Sequence, residues 1–423
     1  MRVLIVNTSE CTGGAAVAAR RLMTALNKNG VKAKMLVRDK ETDDITVATL
    51  PHPWRQRWRF LWERWCIFCH LRFRRSHLFD VDTAHTGADI TRLPEFREAD
   101  IIHLHWINQG MLSLKDIRKI LKSGKPVVWT MHDMWPATAI CHLTLGCNRF
   151  KSTCTHCKYL PGHAAHDLAW RTWQRKKATL ARHSIFFVAC SKWLAEEARQ
   201  SSLLTRQAIE NIPNPIDTHL FHPEDQQEAR QRTSLPTDKH LILFVSQRAT
   251  NVNKGMTFLA DAVRQLANER PATRTDTAVV VLGGHAEEVA PLFDLPVHAL
   301  GYVSDPKQIA DIYNAADVFV LPSLSENLPN TIMEAMACGT PCVAFNVGGI
   351  PEMIDHRQNG YVARYRDSAD LKNGLLWTVF QNNHDTLAAA CVKKVAGHYS
   401  ERAVAMKYIS VYHRAQALKT YHL

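Results

Sequence analysis

The sequence predicts an α/β chain of two doubly wound parallel-sheet domains, on three observations. Short, nearly all-apolar runs alternate with helical patterns, as strands buried on both faces of a parallel sheet require. The scheme occurs twice along the 423 residues. Between the two series, Ile212-Pro-Asn-Pro-Ile-Asp-Thr-His-Leu-Phe-His-Pro223 carries three Pro and no period, so it reads as a connection.

In the first half, strands are predicted at Val3 to Val6, Ala33 to Val37, Ile101 to Leu104, Val127 to Thr130, Ile185 to Ala189 and Ala208 to Ile212. In the second they are predicted at Leu241 to Ser246, Ala278 to Leu282, Val297 to Leu300, Val318 to Leu321 and Pro341 to Phe345. Strand and helix alternation implies right-handed crossovers and a doubly wound sheet. The expected domains are 1–215, with a Cys-rich insertion at 137–161, and 238–399, with a helical 400–423 packing back on the first. No repeat or low-complexity segment interrupts them.

Lys plus Arg exceed Asp plus Glu by 12, and 46% of residues are hydrophobic, a globular balance. Half of that excess lies in residues 54–75, WRQRWRFLWERWCIFCHLRFRR, which hold seven Arg against one Glu and four of the eleven Trp. Basicity is therefore local, which argues against a nucleic-acid coat, and no zinc-finger or RNP pattern supports one. As a helix, this stretch places Trp54, Trp58, Trp62 and Trp65 within about 80° of one another, flanked by Arg55, Arg57 and Arg64. That face suits an anionic membrane surface, with packing against the domain as the alternative. No apolar run reaches the roughly 18 residues of a membrane-spanning helix, and the N-terminus lacks signal-peptide features. The expected location is cytoplasmic, peripheral on the inner face of the membrane.

Eleven Cys, an odd number, do not form a disulfide framework. Only Cys141, Cys147, Cys154 and Cys157 have spacing that asks for an explanation, and four thiolates can close a structural Zn²⁺ site. Reduced buried thiols and disulfides remain open alternatives.

The chemistry-bearing residues of the second half follow strands. Ser246-Gln-Arg-Ala-Thr-Asn-Val-Asn-Lys-Gly255 supplies Arg248 and Lys254, two cations suited to a diphosphate. Gly283 and Gly284 end another strand and allow close backbone approach. Ser325-Glu-Asn-Leu-Pro-Asn-Thr-Ile-Met-Glu334 places Glu326 before a helix expected to open with Pro329 in its first turn, and Glu334 inside it. In the first half, Thr12-Gly-Gly-Ala-Ala16 follows the first strand. His105 and His132-Asp133 end two later ones.

Together these motifs, in this order from Met1 to about Trp377, resemble the GT-B retaining glycosyltransferases of family four. The resemblance implies two Rossmann-like domains facing a cleft. It implies that Arg248 and Lys254 hold the diphosphate of a UDP- or GDP-linked sugar. Glu326 and the backbone of Asn327, Leu328 and Pro329, with Gly283 nearby, would contact the donor, and Glu334 the ribose. Gly13 and Gly14 would face the donor phosphates and His132 would be a cleft histidine, with His105 and Asp133 on the acceptor side. No cofactor is expected for catalysis. The implied function is transfer of a hexose-type sugar, with retention, to a glycan or lipid-linked acceptor in surface-polysaccharide synthesis. A GT-B nucleotide-sugar epimerase is the rival reading and a nucleic-acid-binding protein a remote one.

Overall fold

The computed structural model describes residues 1–420, in two compact units: Met1–Pro215 with the helix that begins at Glu401, and Ile216–Ser400. In the first unit, strands β1 (Arg2–Val6), β2 (Lys32–Val37), β3 (Val47–Thr49), β4 (Ile101–Leu104), β5 (Val127–Met131), β6 (Phe186–Ala189) and β7 (Ala208–Asn211) form one sheet. Their order is β3-β2-β1-β4-β5-β6-β7, and every pair is parallel. The strands are apolar on both sides because both faces are covered. Leu4 and Val6 of β1 enter one core with Ile102, Trp129 and Trp173, while Val3 and Ile5 enter the other with Leu22, Val188 and Tyr408. Helices α1 (Gly14–Lys28), α2 (Pro53–His70), α3 (Leu114–Lys122) and α4 (Leu168–Leu180) supply these layers. A capping box between Ser113 and Asp116 opens α3.

The C-terminal helix, Glu401–Thr420, packs beside α1 and completes the second of these cores through Val404, Tyr408, Val411 and Tyr412. It also partners a buried polar ladder. His103 Nδ1 lies 2.8 Å from the Tyr412 hydroxyl and Nε2 lies 2.8 Å from Thr130 Oγ1, which in turn meets the Tyr408 hydroxyl at 2.9 Å. Complete burial holds His103 down to about 3, a neutral imidazole at any ordinary pH.

The second unit repeats the architecture with β8 (His240–Arg248), β9 (Thr277–Gly284), β10 (Val297–Gly301), β11 (Val318–Leu321), β12 (Cys342–Phe345) and β13 (Gly360–Ala363). Its parallel order is β10-β9-β8-β11-β12-β13. Helices α5 (Met256–Glu269) and α6 (Asn330–Ala337) follow β8 and β11.

Two strands escaped the sequence pattern. β3 and β13 are edge strands of three and four residues. The helix expected over 54–75 stops at His70, because Arg72 and Phe73 adopt positive φ of 53° and 62°. Arg64 does not flank the Trp face. It is buried in an ion pair with Asp82 at 2.6 Å and anchors α2 together with Ile67 and Glu63. Burial, with Asp82 nearby, pushes the Glu63 carboxyl up to about 8 while it accepts hydrogen bonds from Thr83, Thr86 and the His85 N–H. The Trp face points away from this anchor: Trp54, Trp58, Trp62 and Trp65 are 60, 66, 53 and 53% exposed.

His103 gives a signed pH dependence. Its folded pKa lies below the unfolded value near 6.5, so its contribution is present above that pH and is lost as pH falls towards 3. Urea unfolding between pH 7.5 and 4.5 is expected to show a wild-type slope steeper than that of His103→Asn by about 1.4 kcal/mol per pH unit below 6.5.

Candidate active site

In a doubly wound sheet, adjacent strands whose crossovers leave in opposite directions open a crevice at their carboxyl ends. In the first unit those strands are β1 and β4. A cavity of about 570 Å³ lies there, lined by Asn7 to Ser9 and Thr12 to Ala16 after β1, Arg38, Asp39 and Glu41 after β2, Trp106 and Gln109 after β4, and His132 and Asp133 after β5. Gly13 and Gly14 thus share one cavity with His132 and Asp133. Gly13 caps α1 at φ 94°, a conformation that side-chain-bearing residues rarely adopt.

Glu41 organises the Gly-rich loop. Its carboxylate accepts from Ser9 Oγ, Thr12 Oγ1 and the N–H groups of Cys11 and Thr12. Burial alone would raise its pKa, but these bonds hold it below the usual carboxylate value. The Arg38 guanidinium donates to the Gln109 carbonyl and pairs with Asp39. Apart from Thr12, these residues lie outside the motifs the sequence shows, and the folded loops bring them together.

Asp133 is half-buried at the cavity wall and held by three partners. It accepts from Trp106 Nε1 at 3.0 Å and the Trp135 N–H at 2.8 Å, and it pairs with His142 Nδ1 at 2.7 Å. Burial opposes its charge, yet His142 and these donors hold it below the ordinary range, and Asp133 in turn raises His142 against burial. His105 does not line the cavity. It lies behind His132, its Nδ1 2.9 Å from His132 Nε2. Cys190 Sγ lies 3.5 Å from His132 Nδ1 and donates to the Met131 carbonyl. The network is consistent with His105 Nδ1–H donating to His132 and His132 Nδ1–H donating to Cys190. That assignment leaves the buried His105 Nε2 as a bare acceptor, less costly than an orphaned donor. Burial pushes His132 down to about 4, so it faces the cavity as a neutral imidazole.

In the second unit the corresponding strands are β8 and β11. Lys254, in the loop after β8, reaches Glu326, in the loop after β11, with Nζ 2.5 Å from Oε1. Gly255 makes this approach feasible: at φ 72° an added Cβ would lie 1.9 Å from the Pro322 carbonyl. Gly348 lets another loop close on the same place, since its Cβ would meet the Glu326 carbonyl at 1.8 Å. Arg248 ends β8, exposed, with Nε donating to Thr250 Oγ1. Gly283 lies against the Ser246 carbonyl at the end of β9. Asn327 and Leu328 run from Glu326 to Pro329, which occupies the N-cap of α6 rather than its first turn. Glu334 is buried on that helix, and its carboxylate accepts from the Tyr313 hydroxyl at 3.2 Å.

Cys141, Cys147, Cys154 and Cys157 come close enough to act on one another electrostatically. All eleven cysteines are free thiols, and among the described residues no three His, Cys, Asp or Glu side chains are arranged to hold a metal ion. Cys141, Cys154 and Cys157 engage separate partners at Thr138, Ala139 and Tyr159, and burial pushes each thiol up to about 12. Beneath them Lys176 is buried, donating to the Trp135 and Thr138 carbonyls, and burial brings it down to about 7.

Residues 12–220 match the model of Glycosyltransferase Family 4, and residues 239–379 that of Glycosyl transferases group 1. A D-inositol 3-phosphate glycosyltransferase of Streptosporangium roseum is 31% identical over 219 residues, 49% of this chain and 50% of that protein. The chain spans about half the length of the curated relatives it matches. Sucrose-phosphate synthase from Thermosynechococcus elongatus superposes with a TM-score of 0.63 at 19% identity, covering 99% of this chain and 100% of that one. Anabaena Alr3699/HepE, in complex with UDP and glucose, does so with a TM-score of 0.62 at 16% identity, covering 97% and 99%. At such identities these structures speak for the fold. With two Rossmann-like parallel-sheet domains, each carrying a glycosyltransferase family match, the chain belongs to the GT-B glycosyltransferases of the family-four and group-one type.

Proposed function

We propose that the protein is a retaining glycosyltransferase that moves a hexose-type sugar from a UDP- or GDP-linked donor to a glycan or lipid-linked acceptor of a surface polysaccharide. The observation that carries the reading is the Lys254–Glu326 pair at the β8/β11 crevice, beside the start of α6 and the buried Glu334. The Alr3699/HepE neighbour, solved with UDP and glucose, supports a donor of this class.

Departure of a nucleoside diphosphate leaves charge on the diphosphate and an electron-poor anomeric carbon. Preorganised cations and helix N–H groups stabilise such a leaving group without reorganising. Lys254 and Arg248 supply the cations in this reading. Without donor, Lys254 and Glu326 neutralise each other. A diphosphate draws Lys254 away and leaves the Glu326 carboxylate to accept hydrogen bonds from sugar hydroxyls. Neutral His132 orients a hydroxyl rather than countering a phosphate, and gives up a protein partner to do so. The acceptor enters the first-unit cavity in this scheme.

The exposed Trp face of α2 places the enzyme at an anionic bilayer in this proposal. Trp54, Trp58, Trp62 and Trp65 sit at headgroup depth, and the exposed Arg55, Arg57, Arg74 and Arg75 supply the complementary charge.

A nucleotide-sugar panel read by thermal shift identifies the donor, because a ligand of the native state raises the unfolding temperature. With that donor, Lys254→Ala is expected to lower turnover by about 10²–10³ without altering unfolding of the free protein. Glu334→Ala is expected to raise the donor KM more than it lowers kcat. Wild-type turnover in both variants, or epimerised donor formed without acceptor, overturns the assignment. Co-sedimentation at low salt is expected to capture wild type on vesicles containing phosphatidylglycerol and to lose it in a Trp58→Ser/Trp62→Ser/Trp65→Ser variant. Equal recovery of both in the supernatant removes the membrane reading.

A further inference from the structure

Away from the candidate active site, four cavities adjoin one another along the outer face of the first unit. The first, of about 400 Å³, lies between α2 and α4. It shares His85 and Arg175 with a second of about 330 Å³, which shares Arg118 with a third of about 300 Å³. That one shares Arg182 and His183 with a fourth of about 400 Å³. Through these shared residues the four follow one another as a track, from between α2 and α4 to between α3 and α4.

Its walls carry charge of one sign. Lys115, Arg118 and Lys122 project from α3 at helical spacing, and Arg171, Arg175 and Arg182 come from α4 and the residues just after it. No Asp or Glu lines any of the four cavities. Among the described residues none of these six cations has an ion-pair partner, whereas Lys119, also on α3, reaches Asp89 at 2.7 Å. The field is felt locally: burial and then Lys122, Arg118 and Arg182 push His183 below its ordinary value. Lys115 to Lys122 spans about 10 Å of helix axis, enough to meet several anionic groups in succession. The track begins next to the candidate acceptor cavity, since Thr83 and His85 line its first compartment while neighbouring Asp82 accepts the N–H of Gln109 in that cavity.

We propose that this track binds an anionic glycan chain, with a carboxylate or phosphate recurring along it, and so holds the remote part of the acceptor. The proposal rests on the reading of the acceptor as a glycan. One phosphate needs one guanidinium fork, and a bilayer meets convex surfaces such as the Trp face of α2. Unpaired cations on two facing walls of a concave channel instead match a linear polyanion lying between them.

The test uses the full chain and hexameric oligogalacturonate, with maltohexaose, phosphatidylglycerol vesicles and a single-stranded oligonucleotide as comparisons. Wild type is expected to bind the oligogalacturonate better than any of the three, with affinity falling steeply with salt. Arg118→Gln/Arg175→Gln/Arg182→Gln should weaken that binding at least tenfold and reduce the log–log salt slope by about two. The control Arg55→Gln/Arg57→Gln/Arg74→Gln, which removes equal charge from the region of α2, should stay within twofold of wild type. Absent binding, equal loss in the control, or tighter binding of any comparison probe overturns the track. Lys254→Ala is expected to bind oligogalacturonate like wild type. Retained binding in a protein that transfers no sugar from any donor would thus count against the transferase reading alone.

Discussion

Where two adjacent parallel strands send their crossovers to opposite sides, no helix covers their carboxyl ends. Loops there can approach one another without displacing core. This constraint operates at β1/β4 and again at β8/β11. The candidate catalytic groups lie at strand ends or in the loops that follow them, Arg248, Lys254 and Glu326 beside the second crevice and His132 after β5 in the cavity at the first. Neither crevice depends on unusual residues, since it is a property of strand order, and the residues decide only what chemistry occupies it.

Strand order explains why so much of the site was legible. Eleven of the thirteen strands announce themselves as apolar runs, so Lys254 and Glu326 could be placed at strand ends before any coordinates. Edge strands β3 and β13 were silent because Val47-Ala-Thr49 holds a single large apolar residue and Gly360-Tyr-Val-Ala363 opens on a glycine, so neither stands out as a bounded apolar run. The first-unit site was less legible for a different reason. Glu41, Arg38, His142 and Cys190 act through partners in other segments, and sequence spacing cannot register a contact such as that between Asp133 and His142. The helical wheel located the Trp stripe of α2 correctly but put Arg64 on its flank. An ion pair with Asp82, 18 positions away, decides that side chain's place. Spacing likewise shows that four thiols lie near one another in the chain, not how each is oriented.

The first unit concentrates buried ionisable groups near its site, including Asp82, Arg64, Glu63 and Lys176, with the Asp133–His142 pair half-buried beside them. Removing one partner of such a pair leaves an uncompensated buried charge, far costlier than loss of a surface bridge. That network ties the loops of the first-unit cavity to one another. In the second unit the site's ion pair is partly exposed and can be exchanged for a ligand, which suits the side proposed to take up and release a donor.

The helix Glu401–Thr420 belongs to the first unit although the second unit intervenes in the chain. During synthesis the ribosome therefore delivers all of Ile216–Ser400 before Tyr408 and Tyr412 emerge. Until then the part of one sheet face that lies beside α1 is uncovered and His103 lacks its hydroxyl partner. The unit begun first is completed last. Its nascent form carries an open apolar face for the time needed to translate about 190 residues, roughly 10–40 s at ordinary elongation rates. That interval makes the first domain, rather than the second, the natural client of a chaperone.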